Sequence, residues 1–420
     1  MFRISLSNVV ALSVTAAVGC TGDLTVQEYA DENGCSDSWV DLCNELSCNP
    51  ESAAWANCGL NGWKDKKAIE LCNPQTGWPG DDLALCAPAA DEGLQLHYGP
   101  SDYDDADEIA RYTLDGKVEL EDCFLIDSAN TEARYVNQYS GRMRPQSHHM
   151  ILWGLAEDPA APRTRGLGSC NGSATLGSSF YLGSQNLAID IPDLVNAPDE
   201  GDETTARPLP PEQLFSIDMH YLNRGADPIL RESWINIFYA DESKIEQEAK
   251  AIFLVAPNIN LPPQSVGTVV AGGCAAPKAR TVRLLNGHFH EFGQRFSVYR
   301  KSVSGERELV YDSFDWSDPY IANYTGAAIN PVPSRDLGIS GAISGPLKLA
   351  AGDSLEWECE MDNPSNSVVT MGETGSDQMC ILFGMYVDDE EDSAFNWNMA
   401  SLGPGLPCLD SGRAGGISLN

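Results

Sequence analysis

From residue 93 onward, apolar residues recur at every second position in short runs bounded by Gly, Pro, Asn and Asp, as in "GKVELEDCFLI", "ESWINIFYA", "RFSVYRKSV" and "CILFGMYV". A period of two sends alternate side chains to opposite faces of an extended backbone, so each run reads as a strand with one face to bury. Long runs of helical spacing are nearly absent. The best helical pattern, "DESKIEQEAKAIF" at 241–253, is short and charged and lies near the midpoint of the body, where it would mark a join between two halves. The Pro-, Asp- and Ala-rich intervals 156–166 and 196–211 read as exposed loops. The expectation is an all-β body of two tandem antiparallel β-sandwiches, jelly-roll-like, over residues 93–245 and 246–412.

A chain of 420 residues has room for both, with a core in each. Lys and Arg number 26 against 61 Asp and Glu, a net charge of −35, which repels nucleic acid and anionic lipid head groups. Neither is an expected partner. No internal apolar run reaches the roughly 18–20 residues that cross a bilayer.

Residues 1–20, "MFRISLSNVVALSVTAAVGC", have a basic Arg3, an apolar stretch and small residues before Cys20. They read as an export signal whose end, "AVGC", is similar to a bacterial lipobox, with lipid attached at Cys20. The expected location is that of an exported bacterial lipoprotein, in the periplasm or outer membrane or at the cell surface, touching membrane only through that anchor. Of thirteen cysteines, Cys20 aside, twelve remain, six between residues 35 and 86 and six between 123 and 408. An even count in an exported chain points to disulfides, three in each block. Residues 21–92 hold Cys35, Cys43, Cys48, Cys58, Cys72 and Cys86 among four tryptophans. A small disulfide-rich module, stapled because its core is small, is expected there.

The six histidines are unevenly spread: His148 with His149, His220, His288 with His290, and His97. In "NGHFHEFG" the i, i+2 pair His288 and His290 shares one face of a strand and can offer two imidazoles to one ion. In "RPQSHHMILWG" the neighbours His148 and His149 point to opposite faces of a regular strand. Both can reach one ion only if the backbone bends, at a bulge or a strand end. "FSIDMHYLNRG" supplies His220 on a third strand. In "MGETGSDQMCILFGMYV", alternation puts Met379, Ile381, Phe383 and Met385 on one face and Cys380 on the other.

The ordered set "SHHM", "MHYLN", "GHFHEFG" and "GETGSDQMC" resembles the copper type II, ascorbate-dependent monooxygenases, the group of peptidylglycine α-hydroxylating and dopamine β-monooxygenases, over roughly residues 95–410. The resemblance implies two copper ions per chain: one on His148, His149 and His220 in the first sandwich, which stores and delivers an electron, and one on His288, His290 and Met379 in the second, which meets dioxygen. A soft thioether favours Cu(I), in keeping with that division. It also implies disulfides Cys123–Cys170 and Cys359–Cys380, leaving Cys274 with Cys408. The two centres would face a common gap. The expected activity is hydroxylation of a C–H bond of a small organic molecule, with O2 and ascorbate or another one-electron donor, and His288, His290 and Met379 at the reacting centre.

This chain departs from the peptidylglycine enzymes at the substrate. They carry an arginine two residues before the H-x-H pair, and an asparagine and a tyrosine two and four residues after the methionine, where Asn286, Ile381 and Phe383 stand here. Without the arginine a carboxylate loses its bidentate anchor, so a less charged substrate is expected. Two other readings compete. A copper storage or delivery protein keeps the ligands without turnover. A cupin-like mononuclear iron enzyme would add Glu291 to His288 and His290 and leaves the other three histidines unexplained.

Overall fold

The alternating runs form strands in the computed structural model, which describes residues 76–410 apart from 158–159, 161, 171–178, 192–204, 318, 320, 325–346, 373, 389–396 and 401–408. The chain divides into two compact units, Met1–Leu71 and Cys72–Asn420. The first, with the expected export signal, Cys20 and most of the cysteine-rich module, lies outside the described residues. Among the described residues no helix is long and apolar enough to cross a membrane.

Two sheets make the first half. One runs in the order Gly93–Tyr98, Ser233–Tyr239, Arg134–Met143, Thr205–Leu209 and Gln247–Glu248, with Ala188–Ile191 also paired to Arg134–Met143. The other runs Gly166–Gly168, Glu119–Asp127, Leu214–Leu222, Ser147–Leu155 and Ser179–Ser184. Between them lie Leu94, Leu96, Tyr139, Met150, Leu152, Ile217, Met219 and Ile235. In the second half, one sheet centres on Arg280–His288, Ile381–Asp388 and Lys250–Val255, and the facing sheet on Ser265–Ala275, Ser354–Asn363, Gly293–Lys301 and Arg307–Ser313. Val282, Leu285, Phe296, Val298, Trp357 and Leu382 fill that core. The architecture is all-β, as the alternation requires.

Four features differ from the sequence reading. The segment 241–253 is not a helix: after a short turn at Glu242–Lys244, Gln247–Glu248 pairs parallel with Thr205–Ala206 of the first half, and Lys250–Val255 enters the sheet of the second. There Ile252 and Leu254 face the second core while Phe253 and Val255 face the other way, a period of two that outweighs the local helix propensity. The interval 196–211 is not all loop, because Thr205–Leu209 is a buried strand. One helix went unread, Ala106–Tyr112. The Asp105 carboxylate caps it by accepting from the N–H groups of Asp107 and Glu108, and it buries Tyr112 alone, which leaves no apolar stripe to recognise. Residues 76–92, read with the cysteine-rich module, pack on the first sandwich: the Gln95 amide donates to the Leu85 carbonyl, that of Asn236 to Cys86, and the Arg144 guanidinium to Asp81.

The two sandwiches meet along an apolar seam. Trp153, Leu155, Phe180 and Leu214 project from the first half, and Phe253, Val255, Met379, Ile381 and Phe383 from the second. Phe180 and Phe383 stack at 4.8 Å, and Trp153 meets Phe253 at 5.1 Å. Burying each such side chain contributes about 1.5–3 kcal/mol, so this contact excludes water. Cys123–Cys170 and Cys359–Cys380 are disulfides. Cys274 is disulfide-bonded too, and its expected partner, Cys408, lies outside the described residues.

Candidate metal centre

On the strand Leu214–Leu222, Phe215, Ile217, Met219 and Tyr221 turn into the first core, which sends Ser216, Asp218 and His220 to the face toward the second sandwich. His220 pairs directly with His149 on the neighbouring strand. The next pair is Tyr221 with Ser147, so His148 is the extra residue of a β-bulge. The chain enters that bulge through Gln146, whose φ of 74° is left-handed, and the Gln146 carbonyl accepts from the Leu222 N–H at 2.9 Å. The bulge is the bend that lets two adjacent histidines serve one point. His148, His149 and His220 each bring a donor atom within 4.8 Å of the other two, and all three are buried.

On the second sandwich, Leu285 and Phe289 face the core, so Asn286, His288 and His290 share the opposite face. His288 pairs with Ile381. Met379 lies two residues before Ile381 and is buried in the seam, while Cys380 between them turns into the second core and bridges to Cys359. Thus the methionine shares the histidine side of the sheet, and the disulfide holds its neighbour from behind.

The two sets form one cluster. Ring centroids of His148 and His290 lie 4.9 Å apart, those of His149 and His288 5.3 Å, and those of His148 and His288 6.0 Å. Two separate pockets facing a gap are therefore not what the fold builds: the Phe180–Phe383 stack and its neighbours draw the sandwiches together until the rings touch. Trp316 closes over His148 at 5.5 Å. Arg224 lies over Trp316 and is paired with Glu291, which engages the carboxylate that an iron site would need.

Each of the five rings has one buried nitrogen with no hydrogen-bond partner: Nε2 of His148, His288 and His290, and Nδ1 of His149 and His220. Two opposite nitrogens are held. His220 Nε2 donates to the Glu119 carboxylate at 2.8 Å, and His290 Nδ1 donates to the Asp377 carbonyl at 3.1 Å. Both partners are acceptors, so each held nitrogen carries a proton, and at His290, which burial keeps neutral, the orphan nitrogen carries a lone pair. Glu119 also accepts from the Gly375 N–H and so ties the first sandwich to the loop before Met379.

Burial pushes His148, His149 and His288 well below the ordinary imidazole range, the neighbouring rings adding to it, and burial takes His290 down to about 4. The His220 hydrogen bond holds Glu119 below the usual carboxylate range. Five imidazoles with buried, unpartnered nitrogens, four of them held neutral by burial, no carboxylate among them and a thioether on the same sheet face are a donor set for a borderline or soft transition metal, not for a hard oxygen-seeking cation. These residues fit copper. His97 lies elsewhere, bonded to Glu232 at 2.7 Å and stacked on Trp234. Glu119 was not found from sequence, since nothing in "GKVELEDC" separates it from the other acidic residues.

No family model matches the chain, and no curated protein matches it. Among solved structures, it aligns with that of infectious bursal disease virus Gx strain at 8% identity, over 74% of this chain and 76% of that one, with a TM-score of 0.17. A mutant VP2 protein of the same virus aligns at 10% identity over 76% and 83%, with a TM-score of 0.12. At such scores neither alignment bears on fold or function.

Proposed function

We propose that this protein is an exported copper-dependent monooxygenase that hydroxylates a C–H bond of a small organic substrate, using O2 and a one-electron donor such as ascorbate. The observation that carries the reading is the set of five buried ring nitrogens without hydrogen-bond partners. Leaving so many buried polar atoms unpaired is costly unless something else takes their lone pairs. His148, His149 and His220 would hold one copper, and His288, His290 and Met379 the second. Copper bound there would supply one-electron redox chemistry toward O2.

The chain's own residues contribute orientation and dryness. Glu119 and the Asp377 carbonyl fix which nitrogen of His220 and His290 carries the proton. The seam excludes water from the second set, with Phe383 5.8 Å from His288. Asn286, Ile381 and Phe383 place mostly apolar surface beside His288, in keeping with a substrate lacking a carboxylate. Disulfides suit an oxidising compartment, and attachment through lipid on Cys20 belongs to the same proposal.

Close packing of all five rings favours a second reading, a copper storage or delivery protein without turnover. The test is metal analysis with EPR on purified protein, followed by oxygen uptake with ascorbate and candidate substrates. Two type II copper signals per chain and substrate-dependent oxygen consumption support the monooxygenase. Two coppers without productive oxygen use support the carrier, and failure to retain copper at all removes both.

A further inference from the structure

Apart from the histidines, the junction of the two sandwiches holds a partly open cavity of about 270 Å³. Phe180, Tyr181, Arg207 and Gln213 line it from the first half, and Ala251 and Phe253 from the second. We propose that it binds a small aromatic carboxylate.

Arg207 is the first reason. It is only 6% exposed, and its contacts are neutral: it donates to the Phe180 carbonyl, lies 3.6 Å over the Tyr181 ring and bonds the hydroxyl of that tyrosine. Three other buried arginines of this acidic chain show the contrast. Arg144 has Glu232, Arg231 has Asp122 and Arg280 has Asp388. Among the described residues Arg207 has no ion pair. A buried guanidinium costs several kcal/mol when its charge is unmatched, and it offers five N–H groups in a fork that suits a carboxylate. The other charged side chains lining the cavity are engaged, Lys250 with Asp388 at 2.7 Å and Glu248 with the Tyr135 hydroxyl at 3.0 Å. An anion from outside the chain completes Arg207.

The walls supply the rest. Phe180, Tyr181 and Phe253 present ring surface, and the volume sits just below the roughly 300 Å³ where small-molecule pockets begin, which suits a single ring. Phe180 and Phe253 also pack on Phe383, at 4.8 and 5.3 Å, so an occupant touches both sandwiches at their seam. The site does not depend on copper.

The test is a calorimetric titration of metal-free full-length protein with benzoate, benzamide and acetate. Benzoate is expected to bind, and benzamide and acetate each at least about tenfold more weakly, one lacking the charge and the other the ring. Arg207→Gln should cost benzoate the same factor, and Ala251→Phe, which fills the cavity and keeps the arginine, should abolish binding. Absence of benzoate binding, equal affinity for benzoate and benzamide, or unaltered binding in an Ala251→Phe protein with native circular dichroism overturns the proposal. If either variant fails to fold, the ligand series on the unaltered protein still decides. Copper plays no part in the titration, so its result stands apart from that of the metal analysis.

Discussion

His148 and His290 belong to different sandwiches, yet their rings lie 4.9 Å apart and each keeps a buried Nε2 without a partner. Among the described residues nothing satisfies those atoms. The ligand side of the centre is thus built by the contact between halves and is not the property of either alone.

Glu119 positions His220 without sharing the centre. Glu119→Gln keeps an acceptor but removes the charge, and metal affinity at the three-histidine set should fall about 10- to 100-fold. Competition against a chromophoric chelator reads this. An unchanged affinity would mean that the Glu119 contact does not set the ring.

Met379→Ile conserves a buried apolar volume in the seam, so the folding cost should stay under about 1.5 kcal/mol. It removes the only thioether assigned to the second set. Substrate-dependent oxygen uptake should disappear while copper remains on His148, His149 and His220. Unchanged turnover would falsify a ligand role for Met379.

The metal-free protein should lose stability in mild acid. An unfolded imidazole binds its proton near 6.5, whereas His290 in the fold does so at about 4, and His148, His149 and His288 also lie well below the ordinary value. Between those limits the unfolded state carries more protons, so stability present above pH 6.5 is lost as pH falls toward 4. Urea midpoints of chelator-treated protein should drop between about pH 7.5 and 5. A flat profile would contradict buried neutral rings.

Phe383 stacks on Phe180 across the seam, and Phe383→Ala should destabilise the protein by about 3–5 kcal/mol, seen as a lower denaturation midpoint. A cost below about 1 kcal/mol would show that the seam collapses around the loss or contributes little.

Much of this arrangement was legible because strands advertise themselves. The alternation in "CILFGMYV" separates Phe383 and Met385 from Leu382 and Tyr386, and the structure sends those pairs to different sides of the sheet. Alternation cannot announce a bulge, however, because one extra residue leaves the flanking pattern intact. The sequence showed that His148 and His149 needed a bend, not that Gln146 would supply it in a left-handed conformation. The closeness of the two histidine sets was illegible for another reason. It depends on Phe180 meeting Phe383 across some two hundred residues, and each phenylalanine by itself is an ordinary outward-facing apolar side chain. Arg207 likewise fell in a stretch rich in loop-forming residues, whose composition hid a buried strand.

The parallel pairing of Gln247–Glu248 with Thr205–Ala206, followed after one residue by entry into the opposite half, has a practical consequence. Cutting the chain at its apparent midpoint would not release two self-sufficient pieces. The N-terminal fragment would surrender an edge strand and lay bare Trp153 and Phe180, and the C-terminal one would expose Phe253 and Phe383. Each fragment expressed singly should clump, and recovery of soluble material should require both to be made in the same cell.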